Sequence, residues 1–134
     1  MLARLLLASD AYLLGLTAVV GFVTYPSFAL VGHEKWAAFH AHHTRAITLA
    51  VGPAWLLQGV TSMWWLIADG HHLAPWIHGA VVFAAVLATV IGAVPQHEKL
   101  AQSESRTHLT RLQAWHLVRS ACWLLALIVT VVAA

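Results

Sequence analysis

Four apolar stretches, roughly 3–31, 38–68, 73–96 and 108–132, are each long enough to cross a bilayer as an α-helix, for which about 20 residues suffice. In an up-down arrangement, alternate ends of such helices meet on one side. Tyr25 to Glu34 closes the first stretch and His40-Ala41-His42-His43-Thr44-Arg45 opens the second. Pro95-Gln96-His97-Glu98 closes the third and Trp115-His116-Leu117-Val118-Arg119 opens the fourth. Of the 10 histidines, His33, His40, His42, His43, His97, His108 and His116 all fall at that one end. Charged residues make up 9% of the chain and apolar ones 60%, against about a quarter charged in a soluble domain. The fold class expected is all-α: an integral membrane up-down four-helix bundle, one domain over 1–134.

Asp10 lies inside the first stretch, and no small-residue cleavage site precedes a polar start, so the first helix is read as retained rather than as a removed signal peptide. Gly52-Pro53 predicts a kink in the second helix, because proline removes a backbone donor. Lys35, Arg45, Lys99, Arg106, Arg111 and Arg119 flank the first and third connections, with Arg4 alone at the other side. The positive-inside rule then places the histidine-rich end in the cytoplasm and both termini, with the Asp69-Gly70-His71-His72 turn, in the periplasm or exterior. The localisation expected is the inner (cytoplasmic) membrane, multi-pass. The formal charge of +2 is topological and makes no basic stripe for nucleic acid. The one cysteine, Cys122, excludes an internal disulfide and a multi-cysteine cluster. The main polar stretch runs from Gln96 to Thr110, centred on Ser103-Glu104-Ser105.

His40 and His43 stand three apart at the start of the second helix and share a face, whereas His42 points elsewhere. His116 and Arg119 repeat that spacing on the fourth, and His97 and Glu98 follow Pro95 where the third helix is expected to end. Imidazole and carboxylate on facing helices suit a transition metal, iron or copper or else zinc. The expected metal ligands are His40, His43, His97 and His116. The expected catalytic residues are Tyr25, Glu98 and Arg119: the phenol to hydrogen-bond a ligand, the carboxylate as ligand or base, and the guanidinium facing inward to pair with Glu98 or an anionic ligand. A haem b is the alternative, with histidines from two facing helices as axial ligands and Arg45 or Arg119 on its propionates. Trp55, Trp115 and Trp123 are expected to wall the interior, Trp115 and Trp123 with Arg45 forming the cofactor-binding set.

Plainer roles compete with each of these. His33, His42, His71, His72, His78 and His108 suit helix-end or structural hydrogen bonds, and Trp36, Trp64, Trp65 and Trp76 suit an interfacial belt. Asp10 and Gln58 are each 15 residues along their helix from Tyr25 and His43. They are expected to reach one depth and pair across the first two helices. Gly15, Gly21, Gly59, Gly79 and Gly92 give small-residue faces that permit close packing, and with it a homo-oligomer or a place in a larger membrane complex.

Tyr25-Pro26-Ser27-Phe28, Phe39 to Arg45, Val94-Pro95-Gln96-His97-Glu98-Lys99-Leu100 and His116 to Trp123 together resemble a family of small four-helix bacterial membrane proteins related to the anthrone oxygenase-like superfamily. The likeness runs over nearly the whole chain. Three positions depart from the family pattern: Phe39 stands for a tyrosine, Gln58 for a common glutamate, and His116 for an asparagine. The resemblance implies oxidation of a lipophilic aromatic or quinol-like compound by oxygen. The reading is thus a membrane-embedded, metal-dependent oxidoreductase or oxygenase whose partners are the lipid bilayer and a lipophilic small molecule. The alternatives are a haem b electron-transfer subunit and a non-catalytic accessory or assembly subunit.

Overall fold

A computed structural model describes residues 1–103 and 105–133; Glu104 of the expected polar centre lies outside the described residues. All regular structure among them is helical. Four helices result: α1 (Leu2–Phe28), α2 (His33–Asp69), α3 (Leu73–Gln102) and α4 (Arg106–Ala133), each long and apolar enough to cross a membrane. A helix suits such sequences because it satisfies its own backbone donors and acceptors where no water is available. Extended backbone at Gly32 starts α2 and at His72 starts α3. α1 and α3 each pack on both α2 and α4, forming a four-cornered bundle in which neighbours run antiparallel.

The interior is more polar than the surface. Ser9, Asp10, Thr17, His40, Gln58, Thr61, Ser62, His78, His116 and Thr130 are buried, while Phe22, Leu30 and Ile67 are 85%, 86% and 77% exposed. Water would invert this pattern; an apolar surround allows it, because ionisable groups within an apolar span turn to the bundle interior.

Two boundaries differ from those expected. α2 begins at His33 rather than near 38, which places Trp36 a turn inside the helix. Its indole is buried, not interfacial, and donates to the Leu100 carbonyl at 2.8 Å. α3 does not end near 96 but continues through Pro95 to Gln102. Just upstream of Pro95 lies a π-helical segment, Ala88–Ala93, and α1 repeats the device with Val20–Thr24 before Tyr25-Pro26. A proline ring collides with the carbonyl four residues back; the wider π turn relieves the clash without ending the helix. α2, by contrast, stays α-helical through Pro53.

The π segments also reset which side chains face inward. Buried positions on α1 recur at Leu6, Asp10, Leu13, Thr17 and Val20, in alternating steps of four and three, then jump to Tyr25 and Phe28. The extra residue brings Tyr25 inside where regular spacing would favour Thr24. Each π segment also carries a glycine that receives α4. A β-carbon on Gly21 would lie 2.8 Å from His116 Nε2, and one on Gly92 would fall inside the Trp115 ring. These two glycines serve packing within the chain, whereas Gly15, Gly59 and Gly79 have open space around them.

Candidate functional site

The polar ends expected to meet do meet. Tyr25, 1% exposed, is ringed by histidines, with centroids at 5.0 Å to His116, 6.2 Å to His97 and 6.3 Å to His43. His97 in turn lies 5.4 Å from His40 and 5.8 Å from His43. His40 and His43 are buried on one face of α2 while His42 is exposed, as their spacing implies.

Hydrogen bonds order these groups into a chain. Arg119 Nη2 donates to the Tyr25 hydroxyl at 3.2 Å, which leaves the phenol proton for His97 Nε2, 3.5 Å away. His97 Nδ1 then faces His40 Nε2 at 3.2 Å. On the other side Arg119 donates to His116 Nδ1, at 3.3 Å from Nε and 3.0 Å from Nη2. His116 Nε2 donates to the Thr17 carbonyl at 3.0 Å, so this ring carries its proton on Nε2. The Thr17 carbonyl lies in the last α-helical turn before the first π segment.

Both ring nitrogens of His97 and of His116 are therefore engaged by protein groups. Among the described residues no group of three or more His, Cys, Asp or Glu side chains is arranged to hold one metal ion. The four histidines converge, yet a shared metal would require His97 to release His40 or Tyr25, and His116 to release Arg119 or Thr17. His43 Nε2 is the exception, buried with no hydrogen-bond partner among the described residues.

A cavity of about 590 Å³ adjoins the chain, lined by Tyr25, His40, His97 and Arg119 at its polar end and by Leu13, Val51, Trp55 and Trp123 further in. That volume suits one small organic molecule. Its exposed lining residues are Ala37, Ala41 and Thr48 of α2 and Val94, Glu98 and Ala101 of α3, so it opens sideways between those helices. α2 approaches α3 before and after the Ala88–Ala93 segment rather than at it, which leaves the gap.

The remaining expected residues divide. Glu98 sits exposed at the cavity mouth, and among the described residues no carboxylate pairs with Arg119. Arg119 instead lies over the Trp123 ring, 5.8 Å from its centroid. Arg45 is exposed and lines no part of the cavity, and Trp115 packs at Gly92 rather than on the cavity wall. His108 makes the structural bond foreseen for it, to Gln96 Oε1 at 3.0 Å.

A second polar cluster joins all four helices nearer the other end. Asp10 is fully buried; it accepts from Gln58 at 2.7 Å, from Thr130 at 2.6 Å and from His78 at 3.1 Å. Ser62 lies 3.2 Å from the other nitrogen of His78. The Asp10–Gln58 pair was legible from depth; His78 and Thr130 were not linked to it. The same count on α4 would have come within one residue of Thr130, 14 residues from His116, but on α3 it stops at Val82, because His78 lies 19 residues from His97.

Comparison of the chain with family models, curated proteins and solved structures gives no match to any of them.

Proposed function

We propose that the chain spans the cytoplasmic membrane, with the Tyr25 end on the cytoplasmic side, and oxidises a lipophilic phenol- or quinol-type compound drawn from the bilayer. The observation that carries this reading is the opening of a hydrogen-bonded Arg119–Tyr25–His97–His40 chain into an apolar cavity with a lateral mouth. An apolar ring partitions into such a chamber, and its hydroxyl meets the polar wall formed by Tyr25, His40, His97 and Arg119. Exposed Lys35, Arg45, Lys99, Arg106 and Arg111 at this end support the orientation. Kinship with the anthrone oxygenase-like superfamily is part of the same reading, since its motif stretches contribute Tyr25, His40, His97 and Arg119.

The chemistry follows from the order of the bonds. A quinol hydroxyl placed at the polar wall gives its proton into the Tyr25–His97–His40 chain, and Arg119, which has no carboxylate partner among the described residues, balances the oxyanion. A quinolate yields electrons to dioxygen far more readily than a neutral quinol. The balance is one quinol and one dioxygen giving one quinone and one hydrogen peroxide. A transition metal would supply oxygen activation, but the histidines as bonded do not form its donor set, and no step here runs through one.

The test uses purified protein in detergent, titrated with a short-chain benzoquinol. Saturable quenching of tryptophan fluorescence, with quinone formed under air faster than in protein-free controls, is expected. Arg119→Met should weaken both. Absence of saturable binding would sink the reading.

A further inference from the structure

The cavity carries a positive charge that nothing in the described chain answers. Arg119 lines its polar end, and among the described residues no carboxylate pairs with it. Glu98, the one acid on the lining, is exposed at the mouth. The guanidinium bonds to Tyr25 and His116 through Nε and Nη2, and both partners are neutral. Nη1 bonds to no described residue and, unlike the indole nitrogens of Trp55 and Trp123, is not sealed inside protein. The Trp123 ring offsets part of the charge. A cation at this depth in an apolar span still calls for an anion.

The chamber is also ordered like one leaflet of a bilayer. Its polar end is level with Tyr25, near the end of α1 at Phe28. Its apolar end reaches Leu13, 12 residues further in along α1, or about 18 Å. A single-chain amphiphile in that leaflet holds its head at the first level and its tail at the second. It enters between α2 and α3 by moving sideways, without turning over. A guanidinium with free donors matches a carboxylate head in charge and in shape.

We propose that the chamber binds a single-chain lipophilic carboxylate, a free fatty acid of the bilayer, with its head paired to Arg119 and its chain along Leu13, Val51 and Trp55. The binding does not depend on quinol oxidation. Where the chamber takes a quinol, the acid competes for the same cation and inhibits.

Calorimetric titration of protein in phosphatidylcholine nanodiscs tests this, with protein-free discs subtracted and at mildly alkaline pH, where the carboxylate is ionised. Decanoate is expected to bind one to one and about 10- to 100-fold more tightly than decanol, the worth of a charge-assisted hydrogen bond. Arg119→Met should erase that preference by weakening decanoate. Arg45→Met, at an exposed cation off the cavity, should leave decanoate affinity within about twofold, since exposed charges are screened. Equal wild-type affinities, a preference surviving Arg119→Met, or an equal loss in Arg45→Met would overturn the proposal. If Arg119→Met loses its helical circular dichroism, Ala41→Trp decides. It keeps Arg119 and fills the mouth at an exposed position, so decanoate should weaken by about tenfold or more; undiminished binding would place the acid outside the chamber and overturn the proposal. Tighter binding of dihexanoylphosphatidylglycerol than of decanoate would give the chamber to a phospholipid phosphate, with the same result. No oxidation is read in any arm, so a failure here leaves the quinol reading to its own assay.

Discussion

Arg119 reaches across the bundle to donate to the Tyr25 hydroxyl at 3.2 Å, joining residues 94 apart in sequence. That bond fixes the direction of the chain beyond it. With one lone pair of the phenol occupied by a cation, its proton points at His97. Tyr25→Phe keeps the ring contacts and removes the link. Quinol oxidation is expected to fall by about 10²- to 10⁴-fold, the usual worth of a positioned proton donor or acceptor, with quinol affinity nearly unchanged. Matched steady-state rates and binding isotherms check this; a proportionate loss of affinity and rate would assign Tyr25 to binding alone.

Gly92 and Trp115 give a stability prediction independent of function. A methyl group at 92 falls inside the indole, so Gly92→Ala must push Trp115 or α4 aside. Overpacking of this kind costs about 1–3 kcal/mol. Gly79→Ala, on the same helix with nothing within 4 Å of its new β-carbon, is the control and should be neutral or slightly stabilising. Thermal unfolding in one detergent compares them; equal midpoints would show that α4 does not seat in the π segment.

Asp10 and Gln58 should differ in cost although they bond each other. Asp10 ties α1 to three helices, whereas Gln58 gives it a single bond. Asp10→Ala is expected to destabilise by about 3 kcal/mol, the low end for breaking a buried pair. The unfolded chain in a membrane keeps some partners of its own, which softens the loss. Gln58→Ala should cost about 0.6–1.7 kcal/mol. Unfolding in mixed micelles gives both values, and a Gln58→Ala loss as large as that of Asp10→Ala would refute the ranking.

Orientation is tested with reporters. Alkaline phosphatase fused after Ala133 or inserted at Gly70 should be active, and inserted at Ser103 inactive. The reverse pattern would place the histidine-rich end outside.

Much of this architecture was readable from residues alone, and the failures have specific causes. Hydropathy located four helices, and i, i+3 spacing separated buried His40 and His43 from exposed His42. Depth counting paired Asp10 with Gln58. Proline misled at position 95, since a proline reads as a stop unless the chain widens before it, and nothing local in Ala88–Ala93 announces a π turn. The misplaced helix ends then misassigned Trp36, which belongs to the core because both α2 and α3 run further than expected. Trp115 and Trp123 look alike in sequence, yet one fills the notch at Gly92 and the other walls the cavity.

The single extra residue at each π segment has a consequence for comparing other sequences with this one. Each residue turns an α-helix by about 100°, so a relative lacking the insertion near Val20–Thr24 would present a different side chain to His97, even with Tyr25-Pro26 intact. An ungapped alignment would then equate Tyr25 with a residue facing lipid. Kinship at this site is to be judged by helix length as well as by motif, and the loss of one codon in α1 could silence the tyrosine without changing it.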